Sequence, residues 1–201
     1  MTIELIYLDG KGKGQFIRNL LQYFKVPFKD TRVTDIDESL RDTLPYGQLP
    51  YFIESDGNGV ISFSMAQCTA IVRYLSKKFE FRPSTAREQA MADEILESTQ
   101  DLLIYNYYLR EPKEKERFRS YTIPKILGRW EGRLEQNDPC NCLIGCQLTF
   151  ADLCAFTAID ELHLMPIVEK SFPKLTNLCQ HFYNSEIGDY LKSESIQSLT
   201  W

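Results

Sequence analysis

Three short stretches of this 201-residue chain hold residue types that could do chemistry. The first is IYLDGKGKG (6–14), in which Gly10, Gly12 and Gly14 alternate with Lys11 and Lys13 after an apolar run. A strand, a glycine-rich turn and a helix form the setting of many phosphate sites. The spacing here is G-x-G-x-G, not G-x-G-x-x-G, and no terminal G-K-[ST] follows, so a phosphate cradle is disfavoured. The glycines are expected instead to let the backbone pass close to a small ligand, with lysine beside it. The second stretch is LPYGQLPYF (44–52), where Pro50 opens a strand without donating a ladder bond. A cis bond before Pro50 would turn the backbone N–H and C=O of Leu49 outward, ready to pair with a peptide-like ligand; a plain turn before an edge strand is the other reading. The third is DPCNCLIGC, with Cys140, Cys142 and Cys146 spaced C-x-C-x3-C. It holds no C-x2-C knuckle, and the only histidines are His163 and His181, so no structural metal is expected.

The elements that must position these residues follow from periodicity. Residues 2–8 and 28–33 read as strands around an amphipathic helix over 14–24. Residues 49–55 and 59–63 flank the turn DGNG as a hairpin, and 65–79 read as a helix. The hairpin makes the sheet mixed, within an α/β layer. After Phe81 the texture becomes helical. A long helix is expected over 86–109, with Met91, Ile95, Leu102 and Tyr105 or Ile104 on its apolar side. A second covers 113–134, where Pro124 bends it or begins its regular part. A third covers 148–165, opened by the capping pair Thr149 and Asp152, and a fourth covers 172–184. Two domains are expected: 1–81, and an all-helical 82–201.

Bulk properties narrow the function. A formal net charge of -5 argues against a nucleic-acid binder, and the charge run REPKEKERFR (110–119) mixes both signs, as a solvated helix start does. No stretch approaches the roughly 18 apolar residues of a membrane span, and no secretion signal opens the chain. The six cysteines are therefore expected as free thiols in a cytosolic protein.

Four motifs in order carry a resemblance: YLDGKGKGQFIR (7–18), LPYGQLP (44–50), QCTAIVRYL (67–75) and LTFADL (148–153). Together they resemble the cytosolic glutathione transferases, most of all the sigma class, which includes haematopoietic prostaglandin D synthase. The likeness spans essentially the whole chain. It implies a thioredoxin-like first domain with a mixed four-stranded sheet that binds glutathione as co-substrate, and a helical domain that supplies the electrophile pocket.

By that resemblance Tyr7 is the catalytic phenol. A thiol with a pKa near 8.5 is mostly protonated at neutral pH, and a phenol donor aimed at its sulfur favours the thiolate. Lys13 stands where the family has an arginine, and Arg41 matches the residue that meets the glycyl carboxylate. Gln48, Leu49 and Pro50 match the stretch that pairs with the cysteinyl backbone. Gln67 and Cys68 match the pair that holds the γ-glutamyl carboxylate at a helix N-terminus. Asp101 resembles an acid supplied by the second subunit of a homodimer. Leu8, Lys13, Leu103, Tyr108, Cys154 and Leu199 are the candidates for the electrophile pocket.

Two positions depart from the sigma pattern. Cys68 replaces serine, and no tryptophan precedes the basic residue in DIDESLRD (35–42), which offers Asp37 or Glu38 instead. If both contacts fail, glutathione affinity falls about ten- to a hundredfold. The implied activity is conjugation of glutathione to small hydrophobic electrophiles. Isomerisation of prostaglandin H2 and a catalytically weak carrier or structural dimer are the alternatives. Disulfide exchange of the thioredoxin type finds no C-x-x-C motif near the first helix.

Overall fold

The computed structural model describes residues 1–199, the side chains of 104–107 excepted. Tyr105 and Ile104, expected on the apolar side of the long helix, lie outside the described side chains. The chain divides into two compact units, Met1–Phe79 joined by the described part of the segment from Ile187, and Glu80–Glu186.

The first unit runs β1 (Thr2–Leu8), α1 (Gly12–Tyr23), β2 (Lys29–Val33), α2 (Glu38–Thr43), β3 (Tyr51–Ser55), β4 (Ile61–Ala66) and α3 (Cys68–Lys78). The four strands lie in the order β2-β1-β3-β4. β1 is parallel to β2 and antiparallel to β3, which pairs antiparallel with β4. Alternation along β1 buries Ile3, Leu5 and Tyr7, and α1 packs against α3 through core residues that include Phe16, Leu20, Ile71 and Leu75. The expected hairpin is present: the Asp56 carboxylate accepts from the Asn58 and Val60 N–H groups at 2.8 and 3.0 Å and holds the turn.

In the second unit α4 (Ala86–Tyr108) packs on α7 (Phe150–Glu161). The expected second helix is three pieces: α5 (Pro112–Arg117), a π-helical turn (Phe118–Thr122) and α6 (Ile123–Gln136). Pro124 sits in the first turn of α6 and so begins the regular part of that helix. α8 (Met165–Ser171) and α9 (Pro173–Tyr183) follow. The buried Glu131 of α6 accepts from the Lys174 and Leu175 N–H groups, both at 2.8 Å, and so caps α9 from a neighbouring helix. α10 (Glu186–Lys192) and α11 (Glu194–Gln197) complete the described chain.

The expectation of six free thiols is corrected. Cys140 and Cys146 form a disulfide, while Cys68, Cys142, Cys154 and Cys179 are free and buried. The loop between α6 and α7 folds back on itself, which brings the two bonded residues to a Cα separation of 4.8 Å. Asn137 draws the loop in by donating to the Cys142 and Gly145 carbonyls, and the Leu143 N–H donates to Asp152 at 2.7 Å.

Candidate functional site

Tyr7 is the last inward residue of β1 and is 6% exposed. Its hydroxyl oxygen accepts the Lys13 backbone N–H at 3.0 Å. That N–H lies in the first turn of α1, where helix donors have no intrahelical acceptor, and the preceding Lys11 gives no side-chain cap. The phenol therefore takes the place of a cap. A phenol oxygen that accepts from an amide keeps its own proton to donate, and the two bonds reinforce each other.

The glycines serve this arrangement and not a loose loop. Gly12 and Gly14 already belong to α1, and a Cβ on Gly14 would stand 2.5 Å from Cδ1 of Tyr7. Only glycine lets the helix start lie this close to the ring. At Gly14 the close neighbour is the Tyr7 ring.

The Lys13 backbone has a second partner, because the Cys68 thiol donates to its carbonyl at 3.3 Å. The two backbone groups that flank the Lys13 Cα therefore tie the end of β1 to the start of α3. Cys68 is 4% exposed, so its thiol anchors α1 to α3 from within the core. Beside it Gln67 has φ +77° and ψ 112°, outside the regions that side-chain-bearing residues favour. Its side chain is exposed and its amide donates to Gln48 Oε1 at 3.4 Å. Gln67 is itself the residue before α3, and Ser64 lies in β4 and accepts from the Tyr51 hydroxyl at 2.9 Å. Gln67 gives no side-chain cap, and the N–H groups of Thr69 and Ala70 take no acceptor among the described residues.

The Leu49–Pro50 bond is cis, and neither the N–H nor the C=O of Leu49 has a partner among the described residues. Arg41 is exposed and donates to the Ile36 and Gly47 carbonyls at 3.3 and 3.5 Å. Asp37 caps α2, accepting from the Leu40 N–H at 2.7 Å, which gives this acid a structural task at the position that lacks tryptophan.

Sequence reasoning assigned no role to Arg18. It is fully buried on α1, bonds Asp30 at 3.0 and 3.2 Å and the Gly10 carbonyl at 2.7 Å, and lies 5.7 Å from the Tyr7 ring centre. One guanidinium nitrogen, Nη2, is buried with no partner. The signal was a charged residue on an apolar helix face, at the last position of the 7–18 motif. Tyr190 of α10 joins the same charges: burial, then the opposed fields of Arg18, Asp30 and Arg32, leave its phenol pushed up to about 12.

The remaining candidates fall in both units. In the first unit Leu8 and Lys13 are half-buried, and the Leu199 N–H donates to the Ile196 carbonyl at 3.2 Å. In the second unit Leu103 and Cys154 are each 1% exposed and form part of the helical core, whereas Tyr108 is 72% exposed. Asp101 is exposed on α4, and partial desolvation, then the Glu97 charge, raise its pKa. Among the described residues no helix is long and apolar enough to cross a membrane, and no three His, Cys, Asp or Glu side chains group around a metal position.

The sheet order β2-β1-β3-β4, with one parallel pair and two antiparallel ones, and Tyr7 buried at the end of β1 are those of a thioredoxin-like domain. The family described as "Glutathione S-transferase, C-terminal domain" matches residues 97–194. A Dictyostelium discoideum protein named glutathione S-transferase alpha-5 is 33% identical over 198 residues, covering 94% of each chain. Mouse hematopoietic prostaglandin D synthase is 27% identical over 87% of each chain. The solved sigma class glutathione S-transferase of Fasciola hepatica superposes with a TM-score of 0.80 at 25% identity, over 95% of each chain. The chain belongs to the glutathione S-transferase family.

Proposed function

We propose that this protein is a sigma-like glutathione transferase that adds the glutathione thiolate to small hydrophobic electrophiles, a detoxifying conjugation in the cytoplasm. The observation that carries the reading is the Lys13 backbone, whose N–H donates to the Tyr7 hydroxyl oxygen and whose carbonyl accepts from the Cys68 thiol.

Glutathione is bound in three parts. Leu49 pairs through its open backbone with the cysteinyl residue, with Gln48 and Pro50 shaping that edge. The γ-glutamyl carboxylate meets the Thr69 and Ala70 N–H groups at the start of α3, with Gln67 beside it. Arg41 and Lys13 supply positive charge toward the glycyl end. Tyr7 then donates its proton to sulfur and lowers the thiol pKa, so the nucleophile is present at neutral pH. In the first unit Leu8, Lys13 and Leu199 are the surfaces offered to the electrophile. In the second unit Tyr108 is the exposed candidate, and Leu103 and Cys154 support it only as part of the helical core.

Asp101, its pKa raised by partial burial and then by the Glu97 charge, attracts the γ-glutamyl ammonium of a second copy, so the working species is a homodimer. Sedimentation velocity is expected to give twice the chain mass, and Asp101→Asn to weaken glutathione binding about tenfold.

Titration calorimetry with glutathione, paired with an aryl-halide conjugation assay, tests the reading on the wild type and Tyr7→Phe. Both proteins are expected to bind, and only the wild type to conjugate. Failure of the wild type to bind at millimolar glutathione would sink the transferase reading and favour a carrier or structural dimer. The similarity to a prostaglandin D synthase favours one second reading, isomerisation of prostaglandin H2 by the same thiolate. Formation of prostaglandin D2 without consumption of glutathione would single it out.

A further inference from the structure

A cavity of about 340 Å³ in the second unit lies at the start of α4, and none of its lining residues is one assigned to glutathione or to the electrophile. Its lining includes Glu80, Arg82, Glu88, Gly145, Cys146 and Thr149. Three features of it bear on ligand chemistry. Cys146 is exposed and carries one sulfur of the bridge, whereas its partner Cys140 is half-buried and does not line the cavity. Arg82 and Glu80 are exposed, two residues apart and opposite in charge, and neither makes a hydrogen bond or ion pair with a described residue. Glu88 is committed elsewhere: its carboxylate accepts from the Thr85 N–H and hydroxyl at 3.3 and 2.7 Å.

We propose that this cavity is a thiol-exchange site, at which a small thiol bearing both a carboxylate and an ammonium opens the Cys140–Cys146 bridge and is held on Cys146. Glutathione has this chemistry. The guanidinium of Arg82 takes the carboxylate and Glu80 takes the ammonium, which leaves the thiol beside the exposed sulfur.

In the first step the ligand thiolate attacks Cys146 Sγ. The bond to Cys140 breaks, its electron pair leaves on Cys140 Sγ, and that thiolate takes a proton from water. One disulfide replaces another, so no outside oxidant is needed. A second thiolate can then attack the ligand's sulfur, release the disulfide of the small thiol and leave Cys146 reduced.

The surroundings are built for opening without unfolding. Asn137 and Asp152 hold the loop by hydrogen bonds that do not involve the bridge. Cys142 lies between the bonded residues but does not compete for the bridge. It is buried, its thiol donates to the Cys140 carbonyl at 3.2 Å, and burial, then the Asp152 charge, push it up to about 11. Gly145 has φ +63°, and a Cβ there would stand 3.8 Å from Glu88 Oε1, so the loop closes over the cavity's acid at a residue free to adopt that backbone.

The inference does not depend on the role given to Tyr7. The full-length protein is incubated with reduced glutathione, or with the neutral thiol 2-mercaptoethanol at matched thiolate concentration. Free thiols are then trapped by alkylation and mapped by peptide mass spectrometry. Expected is a glutathione adduct on Cys146, alkylated Cys140, and no alkylation of Cys142 in the folded protein. Arg82→Met should slow exchange with glutathione about tenfold and leave exchange with 2-mercaptoethanol unchanged. Tyr7→Phe should alter neither rate, and Arg82→Met should leave aryl-halide conjugation unchanged. In a Cys140→Ser variant, oxidised glutathione should thiolate Cys146. An adduct on Cys140, absence of any adduct on Cys146 in both proteins, or equal slowing of both thiols by Arg82→Met would overturn the proposal.

Discussion

At the scale of single residues the site depends on clearances more than on charges. Gly14→Ala brings a methyl group to 2.5 Å from the Tyr7 ring, so either the ring or the start of α1 must move. Expected is a loss of about 1 to 3 kcal/mol in urea unfolding, together with a fall in conjugation far greater than the loss of folded protein explains. Gln67→Gly separates two effects in the opposite way. It relieves a backbone at φ +77°, so stability is expected to hold or rise by about 1 kcal/mol, while glutathione affinity measured by calorimetry falls about tenfold. A parallel fall in both would deny Gln67 a ligand role. These positions were legible only in part: Tyr7 lies on the inward side of an alternating strand, whereas the helix expected from residue 65 begins at Cys68, because Met65 and Ala66 still pair in β4. What the Cys68 thiol meets was not legible. Its partner carbonyl lies 55 residues earlier, and no local pattern encodes that contact. The partner of Arg18 was equally silent, since a buried ion pair between α1 and β2 has no periodicity of its own.

At the scale of elements the clearest case is α7. Its T-x-x-D start was readable, and the structure contains the reciprocal box, with Thr149 accepting from the Ala151 N–H at 3.3 Å and Asp152 from the Thr149 N–H at 2.8 Å. Thr149→Ala is expected to cost about 1 kcal/mol in chemical denaturation. Burial pushes Asp152 from 3.8 to about 6, against the downward pull of its hydrogen bonds from Leu143 and Thr149. The fold therefore binds this proton more tightly than the unfolded chain does. The stabilisation is complete below pH 3.8, is lost as pH rises toward about 6, and stays constant above that. The span is on the order of 3 kcal/mol. Urea midpoints across this range, compared between wild type and Asp152→Asn, should differ in slope only there. Matching slopes would mean that the carboxyl titrates alike in both states. The breaks in the helical half were less legible: a π-helical turn splits the expected second helix, and α8 follows α7 after a three-residue gap, because both regions keep helical composition throughout.

At the scale of the whole chain the division into units is the part that composition could not supply. A change of texture marked the end of the first α/β stretch, but nothing in the sequence near Ile187 announces that the segment beyond it groups with residues far upstream. Ile187, Leu191 and Ile196 are buried at 1%, 6% and 0%, and Tyr190 feels the charges of Arg18, Asp30 and Arg32. A chain ending at Glu186 would lose several kcal/mol of apolar burial from the first unit. Hydrogen exchange by mass spectrometry should then show faster exchange in α1 and β2 and little change in α7; an unchanged β2 would argue against the grouping. The discontinuity also orders events during synthesis. Most of the first unit is synthesised before residues 80–186, yet its final strip of apolar surface is synthesised after them. Residues 80–186 can therefore finish folding while the earlier unit still waits, its sheet and helices formed around an open flank, for the segment that begins at Ile187.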